Sequence, residues 1–402
     1  MDFKKIEKIL EQEPGFRIKQ VKKAIFQDLI GDWNEITTLP QDLRQKLSKK
    51  FPIEELKAEK ILTSNTEPQA KVKKRFISST DNQTVKVIFE LEDGFKIESV
   101  LMRHKDGRNT VCVSSQVGCA MNCQFCATGQ QGFKRNLSSS EIVEQILFFA
   151  RLLKDEVCLL RGLPSSSRTS SLERVRKNFN SFGFAAARVT NVVFMGMGEP
   201  FLNYANVLEA IKILNDKDGF NFGSRHISIS TCGIIEGIKK LAKEPLQVNL
   251  AISLHASNNE LRSKLMPINK AYPIEKVLKA VDDYVEKTRR RVMFEYLMID
   301  GVNDFPAKAL ELAKLLKKPL YFVNLISFNP IGHSEFKPSS GWKIKQFKET
   351  LEKTGITVTQ RHRFGKEIKA ACGQLAGTSS DLRPAESGTT VGEGRSLGEG
   401  RR

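Results

Sequence analysis

The chain has 402 residues, 40% apolar and 27% charged, the composition of a folded globular protein with room for one large domain and appendages or for two domains. No run of about eighteen apolar residues occurs, and the first residues, MDFKKIEKILEQEPGF, place acids where a secretory signal needs an apolar stretch, so neither a transmembrane helix nor a leader is expected. The expected location is the cytoplasm, where thiols stay reduced and clustered cysteines serve metals or catalysis rather than disulfides. Lys and Arg number 64 against 46 Asp and Glu, a net charge of +18 that points to a polyanionic partner such as nucleic acid.

Residues 1–75 read as a small helical accessory module. Apolar spacings of three and four recur over 4–10, 16–30 and 43–51, interrupted by Pro14-Gly15 and by 37–40. Its basic residues, among them Arg17, Lys19, Lys22, Lys23, Arg44 and Lys46, fit either a solvated face or an RNA contact. Residues 76–109 read as a β-hairpin extension, with strands near 85–91 and 95–102 around Glu92-Asp93-Gly94. From 110 to 376 strands and helices alternate. A helix at about 140–153 opens with Ser138-x-x-Glu141, a capping-box pattern. Strand candidates follow at 191–195, 226–230, 248–254, 292–298 and 321–327, with helical patterns near 204–214, 234–243, 274–289, 306–317 and 344–354. Counted from Val111 these make six β/α units. They predict an α/β fold, a partial (β/α)6 barrel of buried parallel strands with its chemistry at the C-terminal strand ends.

Two stretches break the rhythm. Residues 161–188 carry six basic residues against one acid around a Ser-rich core, and read as a mobile insertion in a connection that is normally short. Residues 377–402 have almost no apolar content and read as a disordered tail. Both are expected to be dispensable for chemistry.

Four of the seven cysteines fall within VCVSSQVGCAMNCQFC, residues 111–126. Cys119, Cys123 and Cys126 form C-x-x-x-C-x-x-C directly after the first barrel strand. Three thiolates on one tight loop suit a [4Fe–4S] cube with one iron left open for a substrate. A structural zinc site completed by Cys112 is the other reading, although such sites usually set two ligand pairs well apart.

That cysteine loop after the first strand of a β/α barrel resembles the radical S-adenosylmethionine superfamily. The fuller string VCVSSQVGCAMNCQFCATG, followed in order by GFKRNL, FMGMGEP, ISIST, AISLHA, KLMPIN, FNP and ACGQL, resembles the bacterial dual-specificity RNA adenine-C2 methyltransferases over roughly residues 15–376. The resemblance implies methylation of an adenine in 23S rRNA and of one beside the tRNA anticodon. It also implies a [4Fe–4S] cluster on Cys119, Cys123 and Cys126, and two S-adenosylmethionine molecules per turnover.

In similar enzymes a cysteine matched here by Cys372 of ACGQL first accepts a methyl group. A 5′-deoxyadenosyl radical then takes hydrogen from it, and the methylene radical adds to the adenine. A second cysteine, matched by Cys112, attacks the Cys372 sulfur and releases the RNA, leaving a disulfide to be reduced. Glu98 of KIESV matches the acceptor of the C2 proton, and a strand Glu otherwise reads as a solvated face residue. Gly198 and Glu199 of FMGMGEP match contacts to the amino acid moiety of S-adenosylmethionine. Ser230, Ser253, Leu254, His255 and Asn329 match further contacts at strand ends. Flavodoxin or ferredoxin is the electron donor in such enzymes, and a monomer without membrane association is expected. Cys158 and Cys232 read as structural.

Two other readings stay open at this level. A C8 methyltransferase of the antibiotic-resistance type shares the five cysteines, although Pro200 leans towards C2. A zinc-stabilised, non-catalytic RNA-binding protein belongs to a different class and would be colourless.

Overall fold

A computed structural model describes residues 3–51, 53, 56–63, 84–160, 188–331, 334–361, 365 and 368–376. The segments 161–187 and 377–402, which contain most of the basic insertion and the tail, lie outside the described residues. No described helix is long and apolar enough to cross a membrane.

The N-terminal module consists of α1 (Phe3–Leu10), α2 (Phe16–Phe26) and α3 (Gln41–Lys50). Each buries the residues that the three-and-four spacing marks: Ile6 and Leu10, then Val21, Ile25 and Phe26, then Leu43 and Leu47. Trp33 is buried between them and donates its indole N–H to the Phe51 carbonyl at 2.6 Å. The module docks on the core through Lys22, which bridges Glu7 at 3.0 Å and Asp216 at 2.7 Å. Beside this bridge the Phe3, Phe26 and Phe220 rings pack in series.

The main sheet begins with four antiparallel strands, β1 (Lys57–Thr63), β2 (Thr84–Glu90), β3 (Lys96–Arg103) and β4 (Asn109–Cys112). A separate small hairpin follows, β5 (Gln116–Gly118) with β6 (Phe133–Asn136). The main sheet resumes with β7 (Asn191–Phe194), β8 (Ile227–Thr231), β9 (Asn249–Ser253), β10 (Val292–Met298), β11 (Tyr321–Ser327) and β12 (Thr357–Gln360). Its order is β1-β2-β3-β4-β7-β8-β9-β10-β11-β12, parallel from β4 onwards. The sheet does not close, in keeping with a partial barrel.

Three features differ from the sequence reading. β12 adds a seventh parallel strand; its segment TVTQ buries only Val358, so it carries no apolar run to betray it. β1 lies within the span read as helical, because KAEKILT looks like an exposed charged segment until it pairs with β2. The β5–β6 hairpin is too short to show a period.

The helices carrying the crossovers are α4 (Ala127–Gln130), α5 (Ser139–Leu160), α6 (Tyr204–Asn215), α7 (Ile235–Leu241), α8 (Asn259–Leu265), α9 (Ile274–Thr288), α10 (Pro306–Leu315) and α11 (Gly341–Lys353). The capping box at α5 forms as read: Ser138 N–H donates to Glu141 Oε2 at 2.8 Å and Glu141 N–H to Ser138 Oγ at 3.2 Å. Strands such as β9 and β10 are buried nearly throughout, so the parallel half is covered on both faces. That leaves the C-terminal strand ends as the place where loops from many strands converge.

Candidate active site

The cysteine loop, residues 119–132, is the connection of the β5–β6 hairpin. Gly118 turns the chain at φ +69°, and a Cβ there would lie 1.8 Å from the Gly132 carbonyl oxygen, so the position admits glycine only. Cys119 N–H donates to that same oxygen at 3.0 Å, which closes the loop at its neck. Its far side is fixed by Gln124 N–H on the Leu265 carbonyl at 3.0 Å. Cys119 and Cys123 are buried and Cys126 is half-buried, all as free thiols. Burial pushes the Cys119 thiol up to about 12 and raises those of Cys123 and Cys126. Beside them the fully buried Arg262 donates to the carbonyls of Cys232, Ser253 and Tyr272, knitting three strand-end loops together.

The residues matched to S-adenosylmethionine contacts do converge on the C-terminal ends of β7 to β11. Gly196 and Gly198 follow β7, but what approaches them is protein. Cβ atoms there would meet the Val113 carbonyl oxygen at 2.6 Å and the Gln116 Cβ at 2.6 Å. Their bareness lets the β7 turn nest against the chain leading into the cysteine loop. Glu199 is buried, which raises its pKa, and its carboxylate accepts from Phe201 N–H at 3.0 Å and Cys232 N–H at 2.8 Å. Ser230 and Ser253 both donate to Glu295 Oε2. Leu254 and His255 donate their backbone N–H groups to the Glu295 carbonyl, each at 3.1 Å. His255 holds a left-handed backbone at φ +58°. Its Nδ1 accepts from Leu297 N–H at 3.1 Å, leaving the proton on Nε2, and burial pulls its pKa down to about 3. It is a neutral pocket residue, stacked edge-on against Phe125 of the cysteine loop.

A cleft partly open to solvent brings Cys112 and Cys372 together with Met102, Met195, Asn329 and Arg361. Burial pushes the Cys112 thiol up to about 12, Cys372 adds to the rise, and the Arg361 guanidinium opposes it. Both cysteines are free thiols, so the structure contains no bond between them. Arg361 sits just beyond β12, with Nη1 3.6 Å from Glu295 and 3.2 Å from the Met195 sulfur. Its own pKa is raised, chiefly by Cys372.

The segment carrying Cys372 is laid directly on the cysteine loop. Ala127 N–H donates to the Gly373 carbonyl at 2.8 Å, and Thr128 and Gln131 donate to the carbonyls of Leu375 and Ala376. On its other side Asn329 donates to the Cys372 carbonyl at 3.3 Å and Gln374 to Pro330 at 2.9 Å. Gly373 has φ +83°, and a Cβ would stand 2.9 Å from the Phe125 carbonyl oxygen, which explains the glycine of ACGQL. Glu98 is buried on β3, on the same strand face as Val100 and Met102 of the cleft lining. Burial raises its pKa, countered by Lys86 at 3.3 Å.

Comparison with known proteins follows the same lines. Residues 113–313 match the radical SAM superfamily. A probable dual-specificity RNA methyltransferase RlmN of Dictyoglomus thermophilum is 44% identical over 90% of this chain and 91% of its own. The protein of that name from Caldicellulosiruptor saccharolyticus is 41% identical over 93% of this chain and 94% of its own. The crystal structure of a radical SAM methyltransferase from Sphaerobacter thermophilus superposes with a TM-score of 0.78 and 39% identity, covering 94% of this chain and 98% of that one. The chain belongs to the RlmN family.

Membership in this radical SAM family brings with it a [4Fe–4S] cluster and the use of S-adenosylmethionine, and sets aside the zinc-stabilised, non-catalytic reading. The residues present fit the cluster. Three thiols on one loop, two buried and one half-buried and all reluctant to ionise alone, are the kind of donor set that bound iron deprotonates. Among the described residues no three acidic, histidine or cysteine side chains close around a single ion. The three thiols share one loop without closing on a single point, which a polynuclear cluster would allow.

Sequence reasoning passed over Arg361, Glu295 and Lys86. Glu295 in VMFEYLM and Lys86 in TVKVIFE are charged residues inside apolar strands, and that interruption was the available signal. The partner of each lies on a different strand or loop, which local sequence does not reveal.

Proposed function

We propose that the chain methylates C2 of adenine in 23S rRNA and in tRNA beside the anticodon, through Cys372 as the carbon carrier. The observation that supports this reading most is the shared cleft: Cys112 and Cys372 line it together, and the Cys372 segment is bonded to the loop of the three cluster cysteines. The cluster, held by Cys119, Cys123 and Cys126, and two S-adenosylmethionine molecules would supply the methyl group and a hydrogen-abstracting radical. Gly198, Glu199, Ser230, Ser253, Leu254, His255 and Asn329 shape the pocket between the strand ends that would receive S-adenosylmethionine.

Cys372 carries the carbon as a thioether and bonds it to the ring, so RNA is briefly tied to the enzyme. Glu98 takes the C2 proton, and the unpaired electron left on the ring must pass to a one-electron acceptor, a role that the bound cluster would supply. Cys112, as thiolate, then attacks the Cys372 sulfur; an S–S bond forms and the S–C bond breaks. Its electron pair stays with the carbon, which is protonated to the new methyl group. The Cys112–Cys372 disulfide is afterwards reduced by a dithiol. The Arg361 guanidinium, in the same cleft, favours the Cys112 thiolate. The net charge of +18 suits an RNA partner, and an electron donor such as flavodoxin or ferredoxin feeds a monomeric enzyme in the cytoplasm.

Mass spectrometry of nucleosides from 23S rRNA and tRNA treated anaerobically with reconstituted protein tests the assignment. The expected product is 2-methyladenosine. Finding 8-methyladenosine without it would move the chain to the C8 class.

A further inference from the structure

Lys86 is a buried cation with two partners. On β2 its ammonium contacts Glu98 Oε2 at 3.3 Å and donates to the Lys369 carbonyl at 3.2 Å, and the side chains of Lys86 and Glu98 are 6% and 2% exposed. A well-packed apolar pair between two strands is usually as stable as a buried ion pair or more so, so stability alone is a poor reason to keep one. The placement points elsewhere. Glu98 is the group that would accept the C2 proton, and its carboxylate also accepts the Ala376 N–H. Lys369 lies three residues before Cys372 and Ala376 four after it, so the pair grips the carrier segment on both sides of its sulfur.

We propose that Lys86 is a positioning residue for methyl transfer: it fixes Glu98 relative to the segment bearing Cys372, and its charge favours the carboxylate over the acid. This rests on the reading of Glu98 as proton acceptor. Among the described residues the charged groups around the pair are Lys60 from β1 and Lys369 from the carrier segment, both cations that act on Lys86. Burial raises the pKa of Glu98 and so favours the protonated carboxyl, which cannot accept the proton. Lys86 opposes that, because an opposite charge within about 4–6 Å lowers a carboxylate pKa by roughly 1–3 units. Removing the cation must therefore raise the pKa of Glu98 and push the acid limb of the rate to higher pH.

The test is the single-turnover rate of RNA methylation against pH in anaerobic holoenzyme, for wild type, Lys86→Gln, Lys86→Arg and Glu98→Gln. S-methylation of Cys372 is read in parallel by mass spectrometry. Gln keeps an N–H for the Lys369 carbonyl but loses the charge. Its acid limb should move up by about one pH unit or more, with S-methylation of Cys372 unchanged. Arg keeps the charge and should leave the limb where it is. A uniform fall in rate at every pH in Lys86→Gln, or an unmoved limb, would reduce Lys86 to a brace and overturn the proposal. Should Lys86→Gln fail to fold, Lys86→Arg decides: a limb displaced upward in that variant overturns it, and a retained limb upholds it. Glu98→Gln separates the two claims. If it keeps the wild-type rate and limb, the proton-acceptor reading fails; if it is slow and has lost the limb while Lys86→Gln changes nothing, only the role of Lys86 fails.

Discussion

At the scale of single residues, the proposed chemistry depends on making a reluctant thiol, Cys112, react. Cys112 is buried in a cleft whose walls push its pKa to about 12, so it is almost wholly protonated at neutral pH. Arg361 is the described cation that acts on it, and it is held in place by Glu295. Arg361→Gln should therefore slow alkylation of Cys112 by iodoacetamide by about tenfold at neutral pH, as loss of a neighbouring charge shifts a thiol by about one unit. Mass spectrometry of the alkylated peptide checks this; an unchanged rate would mean that the guanidinium only fills space. The cysteines and Glu98 were legible because motif strings carried them. Arg361 was not, because nothing in QRHRFG says that its guanidinium reaches across to β10.

At the scale of elements, glycines decide how the cysteine loop and the carrier segment meet. Gly118 admits no side chain, since a Cβ would sit 1.8 Å from the Gly132 carbonyl oxygen that also receives Cys119 N–H. Gly118→Ala must open the neck of the loop. Reconstituted Gly118→Ala protein should hold less than about half the wild-type iron and sulfide, because backbone in a left-handed turn cannot relax around a methyl group without moving. Full iron content with normal visible absorption would show that the neck is not needed. The parallel strands β7 to β11 were legible from their buried apolar runs, and α5 from its capping box. β1 and β12 were not, because edge strands with alternate charged and small residues look like turns until a neighbour pairs with them. FMGMGEP shows a related limit: that Gly196 and Gly198 pack against Val113 and Gln116 depends on neighbours the local string does not reveal.

At the scale of the whole molecule, one open sheet joins three devices that the sequence keeps far apart. The antiparallel end, β2 and β3, supplies Lys86 and Glu98; the first parallel crossover supplies the cysteine loop; the last strand leads through Arg361 into the segment of Cys372. The N-terminal module is anchored to this frame at α6 and the loop after it, by Lys22 and a stack of phenylalanines, so its basic surface is held in fixed relation to the cleft. Fold class was readable because periodicity is a local property, as is the cysteine spacing that suits a cluster. The grouping of residues 98, 112 and 372 was carried only by the motif resemblance, and Arg361 not even by that, since their meeting depends on strand order that no local pattern encodes. The most direct test of that convergence is mass spectrometry of Cys112→Ala protein after anaerobic turnover with RNA. A covalent RNA adduct on Cys372 is expected, absent in Cys372→Ala; free methylated RNA from Cys372→Ala protein, or no adduct from an active cluster-loaded Cys112→Ala enzyme, would contradict the account.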